Sequence, residues 1–389
     1  MKWGTVQEIN EYVGTSVNPL STPDKEFELY SVPSYENDYP EIIKGADIGS
    51  TKVTVEENDI LVCKINPRIN RVWIVEPRTE HQLIASSEWV IIRSKSNNPH
   101  YLRYFFQSPV FRNYINSELT GIGGSLTRAQ PKQIAKYPVP LPPLETQQQI
   151  AASLDKVTHT IDLCNAILEK LDLLVKSRFV EMFGEPQSNP FNWSVVNISE
   201  VINGKASNGF FAKREEYCDD GNVSILGVVN IVNRMYSNID ELPKTNANDK
   251  DIEKYRVKYG DMLFCRSSLV AEGIGKASIV PEIVQDDVLF ECHVIRLQLD
   301  LNKCVPEFMQ VLSTTDYFRR QVIAQSKTAT MTTIGQDGIL KTNIILPPIE
   351  RQQKFYDFIK QTDKSKSAVK QVLEKAETLK KALMQEYFG

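Results

Sequence analysis

Basic and amide side chains concentrate in the segment CKINPRINR, which follows a short apolar run. The segment supplies Lys64, Asn66, Arg68, Asn70 and Arg71. Arginine and asparagine can form bidentate hydrogen bonds with guanine and adenine, and lysine can bind phosphates. We therefore treat the segment as a candidate nucleic-acid contact. A solvated basic loop is the alternative interpretation.

Five further polar segments offer the same chemistry. TGIGGSLTR supplies Ser125, Thr127 and Arg128, and SKTATMTT supplies Thr330 and Thr332 at the corresponding place later in the chain. CRSSLVAEGIGK supplies Arg266, Ser267 and Lys276, while SNGFFAKR and VNIVNR supply Lys213, Arg214, Asn230 and Arg234. We expect arginine and asparagine to read base edges and the other donors to bind phosphates.

Patterns of catalysis and metal binding are weak. The GIGK segment at Gly273 to Lys276 resembles part of a phosphate loop, but Val270 stands where that loop needs glycine. The four histidines are far apart in sequence, and none forms a zinc-type cluster with cysteine. We expect no catalytic centre, no metal and no cofactor.

Length, cysteine usage and hydropathy favour a cytoplasmic protein of several domains. A chain of 389 residues exceeds what one hydrophobic core usually supports. The six cysteines are scattered without a C-x-x-C motif, which is typical of a reducing compartment. No stretch of 18 apolar residues indicates a membrane span.

The net charge of −4 hides a polarised first half. Residues 1–59 contain four basic and twelve acidic side chains, whereas residues 60–136 contain eleven basic and four acidic ones. The basic portion could face phosphates. Residues 251–345 show no comparable excess.

The chain contains an internal duplication. LPPLETQQ at Leu141 to Gln148 returns as LPPIERQQ at Leu346 to Gln353, with six of eight letters shared at an offset of 205 residues. The aromatic segment from Pro99 is similar to the segment from Pro306, and Trp3 aligns with Trp193. Each half therefore has a variable globular part followed by a similar tail.

Each tail is predicted to be a long helix. Proline suits the first helical turn, and Glu145 suits the positive end of the helix dipole. A heptad seam follows at Leu154, Val157, Ile161, Cys164, Leu168, Leu171 and Val175, and a rougher one at Ile359, Val369, Val372, Ala376, Leu379 and Leu383. We expect an antiparallel coiled coil between halves related by a pseudo-twofold axis, with the two chain ends side by side. The alternative is that each helix covers its own domain.

The globular parts are predicted to be α+β. Strand candidates are DILVCKI, EWVIIRS, SILGVVNIV, DMLFCRS and CHVIRLQL. The aromatic segments YLRYFFQSPVFRNYI and its partner near Phe308 are predicted to be helices that pack on these strands.

Taken together, these segments resemble the DNA-specificity subunit of type I restriction-modification systems over essentially the whole chain. The resemblance is carried by PLPPLETQQQIAASLD, ILPPIERQQKFYDFI, SRFVEMFGEPQSNPFNW and GGSLTRAQPKQIAKYPVPLPPLE. It implies target-recognition domains at 1–140 and 186–345, with spacer helices at 141–185 and 346–389. It also implies that each domain reads one half of a bipartite, asymmetric DNA site without a catalytic centre.

The resemblance further implies double-stranded DNA, two copies of the modification (adenine methyltransferase) subunit and a restriction/translocase subunit as partners. For the modification subunits we expect the polar first turns of both helices, which carry Glu145, Gln147, Gln148, Glu350, Gln352 and Gln353. A capping and hydrogen-bonding role within the fold is the alternative. A coiled-coil scaffold without a DNA role and a nuclease or methyltransferase are the competing functions.

Overall fold

The computed structural model describes residues 2–117, 127–282 and 287–389. These residues form a mixture of helices and strands, as the sequence predicts. The chain divides into two compact units. Unit 1 comprises residues 1–166 together with 370–389, and unit 2 comprises residues 167–369.

Unit 1 combines small sheets with short helices. Its strands are β1 (Lys2–Thr5), β2 (Ser16–Val17), β3 (Glu26–Tyr30), β4 (Glu41–Lys44), β5 (Lys52–Thr54), β6 (Ile60–Cys63), β7 (Val72–Ile74), β8 (Gln82–Ala85), β9 (Trp89–Ile92) and β10 (Pro138–Leu141). They form sheets ordered β2-β5-β8-β3-β4, β7-β6-β9 and β1-β10. The helices are α1 (Val6–Ile9), α2 (Pro99–Gln107), α3 (Pro109–Ser117), α4 (Pro131–Lys136) and α5 (Leu144–Phe183), the last of which continues into unit 2.

The aromatic segment of unit 1 forms two helices where the sequence predicts one. Asn98 caps α2 by accepting a hydrogen bond from the backbone N–H of Tyr101 at 2.9 Å. Helix α2 ends before Ser108 because Pro109 cannot continue it and instead begins α3. Phe106 and Phe111 are fully buried in the core between these helices and β6, β7 and β9, as predicted for core aromatics.

Unit 2 has the same kinds of element. Its strands are β11 (Ser194–Asn197), β12 (Ser207–Asn208), β13 (Val223–Leu226), β14 (Lys244–Thr245), β15 (Asp261–Cys265), β16 (Ser267–Ser268), β17 (Ala277–Ile279), β18 (Val288–Phe290), β19 (Val294–Gln298), β20 (Lys327–Thr328), β21 (Thr332–Thr333) and β22 (Asn343–Leu346). The sheets are ordered β12-β19-β15-β17, β14-β13-β18, β16-β21-β20 and β11-β22. The helices are α6 (Val228–Ile231), α7 (Asp249–Tyr255), α8 (Pro306–Ser313), α9 (Asp316–Ala324), α10 (Gln336–Leu340) and α11 (Ile349–Phe388), the last of which continues into unit 1.

All five strand candidates contain a strand, but one of them also contains a short helix. SILGVVNIV was predicted to be extended, but strand β13 ends at Leu226 and helix α6 begins at Val228. Gly227 ends the strand and caps the start of α6. Its backbone N–H donates to the side chain of Asn230 at 3.0 Å.

The predicted alignment of Trp3 with Trp193 is wrong by two residues. Trp3 pairs with Pro140 in the β1-β10 ladder, and Val195 pairs with Ile345 in the β11-β22 ladder. Pro140 and Ile345 are 205 residues apart, so Val195 is the counterpart of Trp3. Trp193 has a different role, since its indole N–H donates to the carbonyl of Phe183 at the end of α5 at 2.9 Å.

The burial patterns of α5 and α11 are narrow stripes with alternating steps of three and four residues. On α5 the stripe follows the predicted seam. On α11 the predicted members Val372 and Leu379 are each 49% exposed. The stripe instead passes through Leu373 and through Thr362, Lys366 and Lys380. The last three are polar, so a pattern of apolar residues does not reveal them.

Inside unit 2, α5 and α11 run in opposite directions. Near the end of α5, Phe183 lies 5.4 Å from the ring of Phe355, near the start of α11. Further along, Asp172 of α5 forms an ion pair with Lys366 of α11 at 2.7 Å. The contacts therefore move backwards along one helix as they move forwards along the other.

The core of unit 1 contains residues from both ends of the chain. Val6 and Ile9 share a buried cluster with Leu154 of α5 and with Met384 and Phe388 of α11. The ring of Phe388 also lies 5.4 Å from that of Tyr101. Residues more than 370 positions apart thus form one hydrophobic core.

Candidate nucleic-acid interface

The basic loop of unit 1 follows β6 directly. Asn66 and Asn70 have left-handed backbone conformations with φ of 50° and 54°, which asparagine tolerates better than most residues. They flank a short turn at Pro67–Ile69 that leaves Arg68 exposed. Lys64 is half-buried, and Arg71 forms an ion pair with Glu36 at 2.8 Å. Arg68 is therefore the most available cation of this loop.

The fold brings the second predicted segment of unit 1 next to this loop. The backbone N–H of Asn66 donates to the carbonyl of Thr127 at 2.9 Å, and that of Ala129 donates to Lys64 at 2.9 Å. Arg128 is largely exposed, and its guanidinium lies 2.9 Å from the carboxylate of Glu88. Thr127 is buried, so its hydroxyl faces the fold. The predicted Ser125 lies outside the described residues.

Unit 2 repeats this pairing. Strand β16 pairs with β21, with Ser267 opposite Thr333, and the backbone N–H of Ile334 donates to the carbonyl of Arg266 at 3.0 Å. The guanidinium of Arg266 donates to the carbonyl of Cys292 at 3.2 Å. In both units, predicted segments that are far apart in sequence thus form one polar surface.

The remaining candidates of unit 2 differ in their surroundings. Thr330 is exposed, but Thr332 is buried and its hydroxyl lies 3.0 Å from that of Thr328. The side-chain oxygen of Asn230 accepts a hydrogen bond from the backbone N–H of Gly227 at the start of α6. Lys213 and Arg214 are exposed on a turn within the β12–β13 connection, which is not part of the β16-β21-β20 sheet.

Two of the predicted unit 2 cations line a cleft together with residues that the sequence reasoning did not select. Arg234 and Lys276 lie there with Lys176, Arg319 and Lys366. Lys176 and Lys366 come from the long helices and Arg319 from α9, so no local motif links them. The fold alone brings these three residues together, so the sequence offered no signal for them.

The first glutamine of each repeated octapeptide is an internal residue. Gln147 is 2% exposed and accepts a hydrogen bond from the backbone N–H of Asn98 at 2.9 Å. It also donates to the carbonyl of Pro142 at 2.9 Å. For Gln147 the structure therefore favours the hydrogen-bonding role within the fold over partner binding.

Gln352 makes the same contacts in unit 2. It is fully buried, accepts from the backbone N–H of Val305 at 2.9 Å and donates to the carbonyls of Pro347 at 2.8 Å and Lys303 at 3.1 Å. Each glutamine thus ties the first turn of a long helix to the start of the preceding aromatic helix. The other predicted partner residues, Glu145, Gln148, Glu350 and Gln353, are exposed.

The described residues offer neither a candidate metal site nor a candidate membrane span. In residues 2–117, 127–282 and 287–389, no group of three histidine, cysteine, aspartate or glutamate side chains is arranged to hold a metal ion. None of the helices described for this chain combines the length and the apolar character that a bilayer crossing requires.

Comparison with known proteins identifies similar chains. Residues 18–173 and 190–378 match the family described as the type I restriction modification DNA specificity domain. The type I restriction enzyme MjaVIII specificity subunit of Methanocaldococcus jannaschii is 24% identical over 355 residues, which cover 88% of this chain and 80% of that protein. The EcoKI specificity subunit of Escherichia coli is 21% identical over 280 residues, which cover 67% of this chain and 58% of that protein.

Two solved structures share the fold. A chain solved in work on complex assembly and conformational transition of the type I R-M system has a TM-score of 0.57 and 16% identity, with 100% of this chain and 97% of that chain covered. The S subunit of a type I restriction-modification system from M. genitalium has a TM-score of 0.57 and 11% identity, with 100% and 96% covered.

Proposed function

Because the chain belongs to the type I restriction-modification DNA specificity family, we propose that it is a non-catalytic subunit that reads a bipartite, asymmetric DNA site. Each unit reads one half of the site. The observation that carries the proposal is the repeated pairing of two polar segments, 64–71 with 127–129 and 266–268 with 332–334.

The two units pair corresponding segments but present different side chains, which supports two different half-sites. The loop after β6 presents Arg68 between two asparagines, whereas the corresponding segment after β15 presents Arg266 and serines. Base recognition depends on the donors and acceptors offered to each base edge. Two surfaces that present different donors and acceptors would therefore select different sequences.

We propose that α5 and α11 form an antiparallel coiled coil that sets the distance between the half-sites. The support comes from the narrow burial stripes and from the opposite helix directions inside unit 2. A 40-residue helix is about 60 Å long at a rise of about 1.5 Å per residue. The proposed domains are target-recognition domains at 1–140 and 186–345, with spacer helices at 141–185 and 346–389.

We propose two copies of an adenine methyltransferase subunit and a restriction/translocase subunit as partners. Glu145 and Gln148 on α5 correspond to Glu350 and Gln353 on α11, and all four are exposed. Two similar surfaces could each bind one copy of the same subunit. Because Gln147 and Gln352 are internal, they are not part of this docking surface.

Methylation-sensitive sequencing of the host genome tests the proposal. We expect deletion of this gene to remove one split, asymmetric, adenine-methylated motif. Replacement with Arg68→Ala should relax specificity in one half of that motif only, because an arginine that reads a base contributes about 1–3 kcal/mol of discrimination. Replacement with Arg266→Ala should relax the other half only.

Two results would contradict the proposal. One is an unchanged methylation pattern in deleted cells that contain an active partner methyltransferase. The other is a change in both halves of the motif with either single variant, which would show that the two units do not read separate half-sites.

A further inference from the structure

A basic cleft lies within unit 2, where α5 and α11 come close to β17, α8 and α9. Its charged lining consists of Lys176, Arg234, Lys276, Arg319, Lys366 and Asp172. The lining therefore carries five cations and a single carboxylate.

Only one of these cations is neutralised. Lys366 lies 2.7 Å from the carboxylate of Asp172 and 3.8 Å from that of Asp363. Across the part of the chain that the structure describes, Lys176, Arg234, Lys276 and Arg319 form no ion pair within 4 Å. Four positive side chains thus line one cleft without an ion-pair partner of their own among the described residues.

Arg319 is held in the cleft by the backbone. One of its terminal nitrogens, Nη2, donates to the carbonyl of Glu272 at 3.0 Å, while Nη1 is buried without a hydrogen-bond partner. Burial lowers the pKa of the Arg319 guanidinium from its usual value. An unsatisfied, desolvated cation is costly, and a bound anion would offset that cost.

Lys276 also keeps donors available. Its ammonium donates to the side chain of Asn233 at 2.7 Å, which uses one of its three hydrogens. Lys176 and Arg234 are exposed at the edge of the cleft. The chemistry therefore suits an anion with several oxygen acceptors, such as a phosphate.

The cleft adjoins the proposed reading surface of unit 2. The Glu272 carbonyl that holds Arg319 belongs to the turn at Ala271–Gly273, which follows β16. The backbone N–H of Gly275 donates to the carbonyl of Cys265 at 2.8 Å, which connects this turn to the end of β15. An anion in the cleft would lie beside the half-site that unit 2 reads.

We propose that the cleft binds a backbone phosphate of the DNA. This inference rests on the proposed DNA-reading function and adds an anchor that positions the duplex without reading its sequence. Neutralising such a phosphate releases counterions, so each contact contributes to the salt dependence of binding by about 0.9 in the slope of log K against log salt concentration.

The test compares Lys176→Gln and Lys276→Gln with Lys170→Gln, a control for an exposed lysine on the same helix as Lys176 but outside the cleft. Arg319 is left intact because it also holds the backbone. The full chain, assembled with its modification subunits, is titrated with a duplex that carries the methylated motif's sequence and with one in which both half-sites are scrambled. The titrations span about 50 to 200 mM salt.

We expect each cleft variant to weaken binding to both duplexes by the same factor and to reduce the salt slope by about one. The control should match the wild-type chain. Unchanged slopes in both cleft variants would overturn the inference, and so would a loss confined to the intact site, because that result indicates base reading. A wild-type chain that binds both duplexes equally would instead contradict the proposed sequence-reading function.

Discussion

At the scale of single residues, neighbouring letters of the repeated octapeptide have different environments. Gln147 and Gln352 are buried and hydrogen bonded, whereas Gln148 and Gln353 are exposed. A helix turns by about 100° per residue, so adjacent residues face different directions. One motif can therefore serve both the fold and a docking surface.

We expect Gln352→Met to lower the free energy of unfolding by at least about 1–3 kcal/mol, because the N–H of Val305 and the carbonyls of Lys303 and Pro347 would lose a buried partner. Chemical denaturation measures the change. The matched control is Gln353→Met at the exposed neighbour, for which we expect a change within about 0.5 kcal/mol. Equal effects of the two variants would rule out the internal hydrogen-bonding role.

Asp261 is predicted to make the stability of unit 2 depend on pH. Burial raises the pKa of Asp261 from 3.8 to about 6, while nearby Arg296 at 4.0 Å only partly opposes this shift. The folded protein therefore favours the protonated carboxyl. The stability associated with Asp261 is present below pH 3.8 and is lost as the pH rises to about 6.

Relative to the wild-type chain, Asp261→Asn should be more stable at pH 7 than at pH 4, by at most about 3 kcal/mol, since one pKa unit corresponds to about 1.4 kcal/mol. Denaturation curves recorded from pH 4 to pH 7 measure the difference. Asp240→Asn, at an exposed position, is the control. A difference between Asp261→Asn and wild type that stays constant over this range would contradict the prediction.

At the scale of elements, the end of α5 stabilises unit 2 through an aromatic cluster. The ring of Phe179 lies 5.1 Å from that of Phe183 and 5.6 Å from those of Phe308 and Phe355. The cluster joins α5, α8 and α11, so each helix depends on the other two. The predicted heptad pattern places Val175 in the seam but does not show that phenylalanines continue it.

We expect Phe179→Ala to lower the free energy of unfolding by about 3–5 kcal/mol, because the substitution leaves a cavity in a closed core. Val180→Ala is the control on the same turn, since Val180 is partly exposed and is expected to cost far less. Thermal and chemical unfolding of the two variants provide the comparison. A small effect at both positions would mean that this aromatic cluster contributes little to the stability of unit 2.

Secondary structure was predictable where a pattern was local. The strands β6, β9, β15 and β19 occur inside the predicted apolar runs, because β-branched and aromatic residues bounded by polar turns favour extended chain. The start of α6 was missed because a four-residue helix has no periodicity. The seam of α11 was misassigned at Val372 and Leu379, since the partner surface decides which face is buried.

At the scale of the whole molecule, the two duplicated halves form units with different chain connectivity. Unit 2 is built from one continuous stretch of chain, whereas unit 1 combines residues 1–166 with 370–389. Met384 and Phe388 complete the core of unit 1. The two chain ends therefore lie side by side within unit 1, as the sequence predicts.

The sequence by itself determined the duplication, the two long helices, the α+β character and the family, because repeats, periodicity and motifs can be recognised from the order of the residues alone. The tertiary structure alone decided that Gln147 and Gln352 are internal and that segments 64–71 and 127–129 meet. It also brought Lys176 and Arg319 to the same cleft as Lys276. Burial and charge clustering depend on contacts between residues far apart in the chain, and one sequence does not display those contacts.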